Sequence, residues 1–318
     1  MKVLLTFDVE VWCNGWDALD KSFPPSFERY VYGRSHCGDY ALPKTLEILS
    51  RHGLRGVFFV EPLFAARFGQ SYLDTIVQII LAAGQDVQLH LHPEWTDEIT
   101  PALLPRNKVK RQHLSYYDVD EQTALIAHGK QMLLDAGVRS ISAFRAGSFA
   151  ANRDTYTALE RNGLYIDSSL NHFYAISGAD LRADYDLHCS GQIAGVRSYP
   201  VTVFRDGFGR SRPAQLSGCS FAELRGALLD AQEKGQEHFV LVSHNFEMLK
   251  SGSVLPDRIV VQRFERLCAF LASQRNVMPT VNYSECGGGI SRMAYPLAPR
   301  ASVLATARRY AEQLLRRI

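Results

Sequence analysis

Short apolar runs alternate with helical segments along most of this chain, and that order limits the fold more than any single motif does. The runs are Val3 to Phe7, Gly56 to Val60 (GVFFV), Asp86 to Leu91 (DVQLHL), Ile141 to Phe144, Leu164 to Ile166, Val196 to Val203 and Phe239 to Val242. Between them, helical patterns cover Leu42 to His52, Tyr72 to Ala83, Val119 to Ala136, Asn152 to Arg161, Phe221 to Lys234 and Asp257 to Gln274. Most of these stop at or near a glycine (Gly53, Gly84, Gly137, Gly163, Gly235), the residue that most readily takes the left-handed turn at a helix end. A strand–helix order repeated this often implies a parallel sheet covered by helices. The number of units favours a closed or nearly closed barrel over a small open sheet.

Two segments break the rhythm. Val11 to Ala41 is long and aromatic, with Trp12, Trp16, Phe27, Tyr30, Tyr32 and Tyr40, and Glu94 to Tyr117 carries Pro101, Pro105 and a basic stretch from Arg106 to His113. Both read as long loops leaving the C-terminal ends of strands, where a barrel places its active site. The aromatic loop suits a sugar ring, whose C–H faces stack on Trp or Tyr, and equally suits a plain cover over the barrel mouth. The chain is long enough, at 318 residues, for one or two domains. A barrel over 1–290 and a tail over 291–318 divide it most simply. A net charge of +2 gives no ground for bulk nucleic-acid binding. No apolar run is long enough to span a bilayer, and the N-terminus has no leader pattern, so the expected location is cytoplasmic. Six scattered cysteines (Cys13, Cys37, Cys189, Cys219, Cys268, Cys286) form no C-x-x-C pair and read as reduced thiols rather than a zinc cage or disulfide framework.

The strand ends carry the chemistry. Val3 to Phe7 runs into Asp8 and Glu10, which share one side if the extended geometry continues. His90 and His92 alternate with leucines in Gln88-Leu-His-Leu-His-Pro-Glu-Trp95, so both imidazoles face one way. Two such histidines and a carboxylate make a metal site with room for a reactive water, while a lone His-x-His is more often an ordinary pair on a half-buried strand. Glu94 is a further candidate oxygen ligand. Ala143-Phe-Arg-Ala-Gly-Ser148 places Arg145 at a strand end, where it can orient a carboxylate or form a structural ion pair. Tyr165-Ile-Asp-Ser-Ser169 ends in Asp167, and Val240-Leu-Val-Ser-His-Asn245 in His244. Taken singly, Asp167 could cap a loop and His244 could be a satisfied core histidine. Five strand ends that each offer a group useful to hydrolysis are much harder to obtain by chance.

In order and spacing, these segments resemble the polysaccharide deacetylase family (NodB homology, carbohydrate esterase family 4) over roughly residues 1 to 285. The resemblance rests on Thr6-Phe-Asp-Val-Glu10, Gly84-Gln-Asp-Val-Gln-Leu-His90-Leu-His92, Phe144-Arg-Ala-Gly147, Tyr165-Ile-Asp-Ser168 and Leu241-Val-Ser-His244. It implies an α/β fold, a distorted (β/α) barrel of about seven parallel strands, a divalent metal that is usually zinc, and hydrolysis of an N-acyl group on a sugar. By the same resemblance Asp8 is the catalytic base and Glu10 the metal carboxylate, although the family usually has two adjacent aspartates there. His90 is the first metal histidine. The second usually lies four residues on, where this chain has Glu94, and His92 is preferred because it retains the His₂-carboxylate set. Arg145 corresponds to the arginine that orients the base, Asp167 to the acid that pairs with the distal histidine, and His244 to the histidine that protonates the leaving amine.

The function expected is metal-dependent removal of an N-acyl group, chiefly N-acetyl, from a sugar or glycan precursor used in surface polysaccharide metabolism. A deformylase or other non-peptide amide hydrolase on the same barrel is one rival, and a non-catalytic sugar-binding barrel another. The tail from Ser302 to Ile318 has Leu304, Tyr310, Leu314, Leu315 and Ile318 beside Arg308, Arg309, Arg316 and Arg317. It reads as an amphipathic helix, either packed on the barrel or a partner, or making a weak membrane-surface contact.

Overall fold

The computed structural model describes residues 1–104, 109–174, 181, 191–286 and 298–316. Pro105 and the start of the basic stretch, Cys189, residues 291–297 of the tail, Arg317 and Ile318 lie outside the described residues. The chain forms two compact units, Met1–Gly56 with Thr202–Asn282 and Tyr295–Ile318, and Val57–Val201 with Tyr283–Ala294.

In the first unit the strand Lys2–Val9 pairs in parallel with His238–His244, in a register that sets Lys2 opposite His238 and Asp8 opposite His244. Nearly every residue of both strands is buried. Burial on both faces is why they read as continuous apolar runs rather than as alternating ones. Thr6, the polar exception, donates its hydroxyl to Leu241 O at 2.7 Å. The helices Leu42–His52, Phe221–Glu233 and Arg258–Ser273 follow the sequence expectation closely. Ser220 and Glu223 form a capping box at the second, and Asp257 caps the third, so backbone N–H groups left over in each first turn find acceptors.

The segment Val11 to Ala41 is not one loop. It contains a helix, Leu19–Phe27, continued by a π-helical turn, Glu28–Tyr32, and a short hairpin of Arg34–Ser35 with Gly38–Asp39. Leu19, Phe23, Phe27 and Val31 are all buried, a stripe of four-residue spacing that drives a helix and that Pro24 and Pro25 disguise in the sequence. The run expected over Val196 to Val203 is two short strands, Val196–Ser198 and Val203–Arg205, the latter in a hairpin with Ser211–Pro213.

The tail helix, Val303–Leu315, packs within this first unit and turns Ala305, Thr306 and Arg309 inward. Buried Arg309 donates to Asp206 Oδ2 and Glu223 Oε1, each at 3.0 Å. It therefore belongs to an internal ion network and not to a solvated basic face. Leu304, Leu314 and Leu315 remain exposed.

In the second unit five strands lie side by side in parallel, in the order Val57–Val60, Asp86–Leu91, Ala143–Ala146, Ile166–Asp167 and Val196–Ser198, with Gly191–Ile193 antiparallel at the edge. Among the described residues the first unit has two such parallel strands and the second five, in line with the expected number of about seven. The register sets His90 opposite Arg145 and Phe144 opposite Asp167. The helices Gln70–Ala82, Val119–Asp135 and Arg153–Arg161 belong to this unit. Gly129 lets the middle one approach the sheet: a Cβ there would lie 2.8 Å from Leu91 Cδ2. Among the described residues no helix is long and apolar enough to cross a membrane.

Candidate active site

Each unit brings part of the expected chemistry to its strand ends. In the first, Asp8, Glu10 and His244 place a ligand atom each within 4.8 Å of one another, a His/Glu/Asp group that could hold a metal. The parallel register that aligns Asp8 with His244 produces this meeting, and Asn245 completes it. The Asn245 N–H donates to Asp8 O, its Nδ2 to Glu10 O and Tyr30 O, and its Oδ1 accepts from Glu10 N at 3.1 Å. The side chain thus acts as one more strand residue that holds Glu10 just past the end of Lys2–Val9. Trp12 Nε1 donates to Glu10 Oε2 at 2.7 Å, which is a specific use for one of the aromatic residues of Val11 to Ala41.

His244 Nδ1 lies 2.9 Å from Glu247 Oε1. A carboxylate can only accept, so Nδ1 carries the proton and Nε2 is turned to other work. Burial works against a charged imidazole. The Glu247 hydrogen bond and the negative charges of Glu10, Glu247 and Asp8 outweigh it and raise the His244 pKa to about 9. Burial also works against an ionised Glu247, but His244, Gln215 Nε2 and Ser217 N hold its carboxyl below the usual range. The pair is therefore imidazolium–carboxylate at neutral pH. This corrects one expectation: the acid that holds the distal histidine is Glu247, not Asp167.

Asp167 is fully buried in the second unit and accepts from Tyr156 OH at 2.9 Å and from Ser169 N and Oγ. Burial raises its pKa to about 6 against these hydrogen bonds and the charge of Arg145. Ser169 Oγ also accepts from Ala146 N at 2.8 Å. Asp167 therefore tethers the strand end that carries Arg145. Arg145 is itself fully buried, donates through Nε to Ser168 O and through Nη2 to Ser168 Oγ, and lies 4.3 Å from the centre of the Phe59 ring.

His90 and His92 lie together as the alternation implies, with ring centres 4.9 Å apart. His90 Nδ1 bonds to Arg145 O at 2.7 Å and His92 Nδ1 to Glu94 Oε1 at 3.0 Å. Both acceptors fix the proton on Nδ1 and leave Nε2 as the nitrogen suited to a metal. A histidine oriented by an acceptor in this way is a recurrent feature of metal sites. Glu94 is buried, and the two candidates for the second ligand prove to be partners of each other. Gly147 is required here: a Cβ on it would stand 2.7 Å from Leu91 O and 2.8 Å from two atoms of the His92 ring.

Sequence reasoning missed Glu247, Asn245 and Glu61. Glu61 follows Val57–Val60, accepts from Leu63 N at 2.8 Å, and is buried. Burial lifts its pKa to about 8, partly offset by His92. The signal was present, since Glu61 is one more acid at the end of an apolar strand. Glu247 had a weaker signal, a carboxylate three residues beyond His244.

No family profile matches the sequence, and no curated protein does. Solved structures do. A candidate polysaccharide deacetylase from Mycobacterium smegmatis is 20% identical, over 94% of this chain and 92% of its own, with a TM-score of 0.58. A family 4 carbohydrate esterase from Streptomyces lividans, solved with acetate, is 14% identical over 88% and 92%, with a TM-score of 0.44. A family 4 pseudoenzyme from Bacillus anthracis is 13% identical over 90% and 64%, also at 0.44. The first likeness shows the fold: an α/β protein built as a distorted (β/α) barrel. It is the NodB-type barrel expected from the sequence. A fold alone does not assign a function, which has to be argued from the site.

Proposed function

We propose that this protein is a metal-dependent hydrolase that removes an N-acyl group, chiefly acetyl, from a sugar or glycan precursor. The observation that carries the reading is the pairing at the ends of two adjacent strands. Asp8, a carboxylate suited to take a proton, lies in register with His244, an imidazolium suited to give one. Amide hydrolysis needs both, because water must be deprotonated to attack and an amine must be protonated to leave.

The proposed metal ligands are Glu10, His90 and His92. The donors fit a borderline ion such as zinc: two imidazoles that Arg145 O and Glu94 fix in the Nδ1–H form, and a carboxylate steadied by Trp12 and Asn245. When bound, such an ion lowers the pKa of water from about 16 toward about 7 and polarises a carbonyl. The chain's own residues do the rest. Asp8 accepts the proton of the attacking water, and Arg145 is assigned to keep it ionised and aimed. His244 gives its Nε2 proton to the departing nitrogen. Glu247 keeps that proton in place until then, and His244 is about a quarter exposed (26%), so a substrate can reach it.

Metal content by elemental analysis, coupled to acetate and formate release from a panel of N-acetyl and N-formyl sugars, tests the reading. Stoichiometric zinc and acetate release are expected. Formate release alone would make the protein a deformylase, and a metal-free, inactive protein would leave a binding barrel.

A further inference from the structure

A cavity of about 370 Å³ opens beside His244 within the first unit. That volume falls within the range of small-molecule sites. One wall is aromatic: Tyr30 and Phe246 meet edge to face at 5.0 Å, and His244 stacks on Phe246 at 5.4 Å. Arg29, Lys250 and Arg316 bring cationic side chains to the lining, beside the neutral Gln215, Ser217 and Leu249. Arg316 is neutralised by Asp257, at 2.6 Å. Arg29 and Lys250 have no carboxylate partner among the described residues. Arg29 sits on the π-helical turn with its guanidinium over the Tyr30 ring, and its Nε is buried without a hydrogen-bond partner. The acid in the lining, Glu247, has both oxygens occupied by His244, Gln215, Ser217 and Ser243. The cavity therefore has two cationic side chains without a carboxylate partner and a ring-stacking wall, and it adjoins the proposed acid.

We infer that this cavity receives an anionic group of the substrate, a phosphate or a carboxylate carried by the N-acyl sugar, with Arg29 and Lys250 as its binding residues. The inference rests on the N-acyl-sugar reading and narrows it from sugars in general to anionic ones. An oxyanion supplies the counter-charge that Arg29 lacks, and a guanidinium matches a planar or tetrahedral oxyanion with paired donors. A neutral sugar would leave both charges unanswered.

The test is calorimetric titration of the full chain, at low salt, with N-acetylglucosamine, N-acetylglucosamine 1-phosphate and N-acetylmuramic acid. It is repeated on Arg29→Gln, Lys250→Gln and the double variant, and on Arg29→Lys, which keeps the charge. At least one anionic sugar should bind more tightly than the neutral one, and that advantage should fall about tenfold to a hundredfold in the double variant, the usual worth of charge-assisted hydrogen bonds. It should be partly retained in Arg29→Lys and should shrink as salt is raised. Preference for the 1-phosphate assigns a phosphate, and preference for the muramic acid a carboxylate. Equal binding of neutral and anionic sugars, an advantage that survives the double substitution, or no binding of either anion at millimolar concentration would each overturn the inference. Because binding is read without turnover, a protein that releases no acetate would refute the hydrolase reading and still leave this comparison decisive.

Discussion

Glu247→Gln is the substitution that most directly tests the proposed acid. In the parent, the Glu247 hydrogen bond leads the contributions that favour a charged His244, followed by the charges of Glu10, Glu247 and Asp8. Together they lift the pKa from 6.5 to about 9 against burial. At 1.36 kcal/mol per unit, that shift of about 2.5 units amounts to about 3 kcal/mol. A group whose folded pKa is raised contributes stability that is fully present below its unfolded pKa and is lost as pH rises through the folded one. The His244 contribution is therefore complete below pH 6.5 and gone above pH 9. Glutamine keeps the size and a hydrogen-bonding oxygen but removes the charge, so the burial that opposes imidazolium is left with less to balance it.

The assay is an NMR titration of the imidazole signals in chelator-treated protein, with His244→Ala supplying the assignment, alongside denaturant unfolding below pH 6.5 and above pH 9. In Glu247→Gln the His244 midpoint should fall by about one unit or more, and the loss of stability across that window should shrink accordingly. The alkaline limb of amide hydrolysis should move to lower pH with it. A His244 midpoint that stays near 9 in Glu247→Gln would refute the pairing and return the search for the acid's partner to other carboxylates.

His92→Ala should lose metal at neutral pH, whereas Glu94→Gln should only weaken it, by about tenfold to a hundredfold, as expected for a residue that orients a ligand; full occupancy in His92→Ala with loss in Glu94→Ala would move ligation to Glu94. Asp8→Asn should keep the metal and lose about 10²–10⁴ in rate, and an Asn variant as active as the parent would remove Asp8 as base. Gly147→Ala should lower metal affinity without removing a donor, because its Cβ would press on the His92 ring and on Leu91 O; unchanged affinity in a competitive chelator titration would contradict that. Asp167 has a folded pKa raised from 3.8 to about 6, so its contribution to stability is largest below pH 3.8 and is lost by about 3 kcal/mol as pH rises through 6. Asp167→Asn should abolish that part of the pH dependence, and an unaltered unfolding profile between those values would show that Asp167 ionises freely.

The sequence alone determined the alternation of buried strands and helices, and with it the barrel. It also determined which residue types stand at the strand ends. Those features are local: a run of apolar residues buried on both faces, a glycine at a helix end, or histidines two apart on an extended chain have the same consequence wherever the strand lies. The placement of Asp8, Glu10, His90, His92, Arg145 and His244 at or beside strand ends was legible for that reason. The partners of those residues were not. Whether Asp167 or Glu247 holds His244 depends on the turn after His244, where Glu247 N bonds back to His244 O and brings its carboxylate within reach of Nδ1. Glu94 looked like a rival of His92 and is its hydrogen-bond partner, because the helical turn Pro93–Glu98 starts at once and folds the side chain back. The helix Leu19–Phe27 was hidden by two prolines whose local preference was overridden by the burial of Phe23 and Phe27. Arg309 looked like part of a basic face and became buried because Asp206 and Glu223, distant in sequence, meet it in the folded unit. Spacing along the chain decides which face a residue takes, while its partner is decided by the segments that tertiary packing brings against that face.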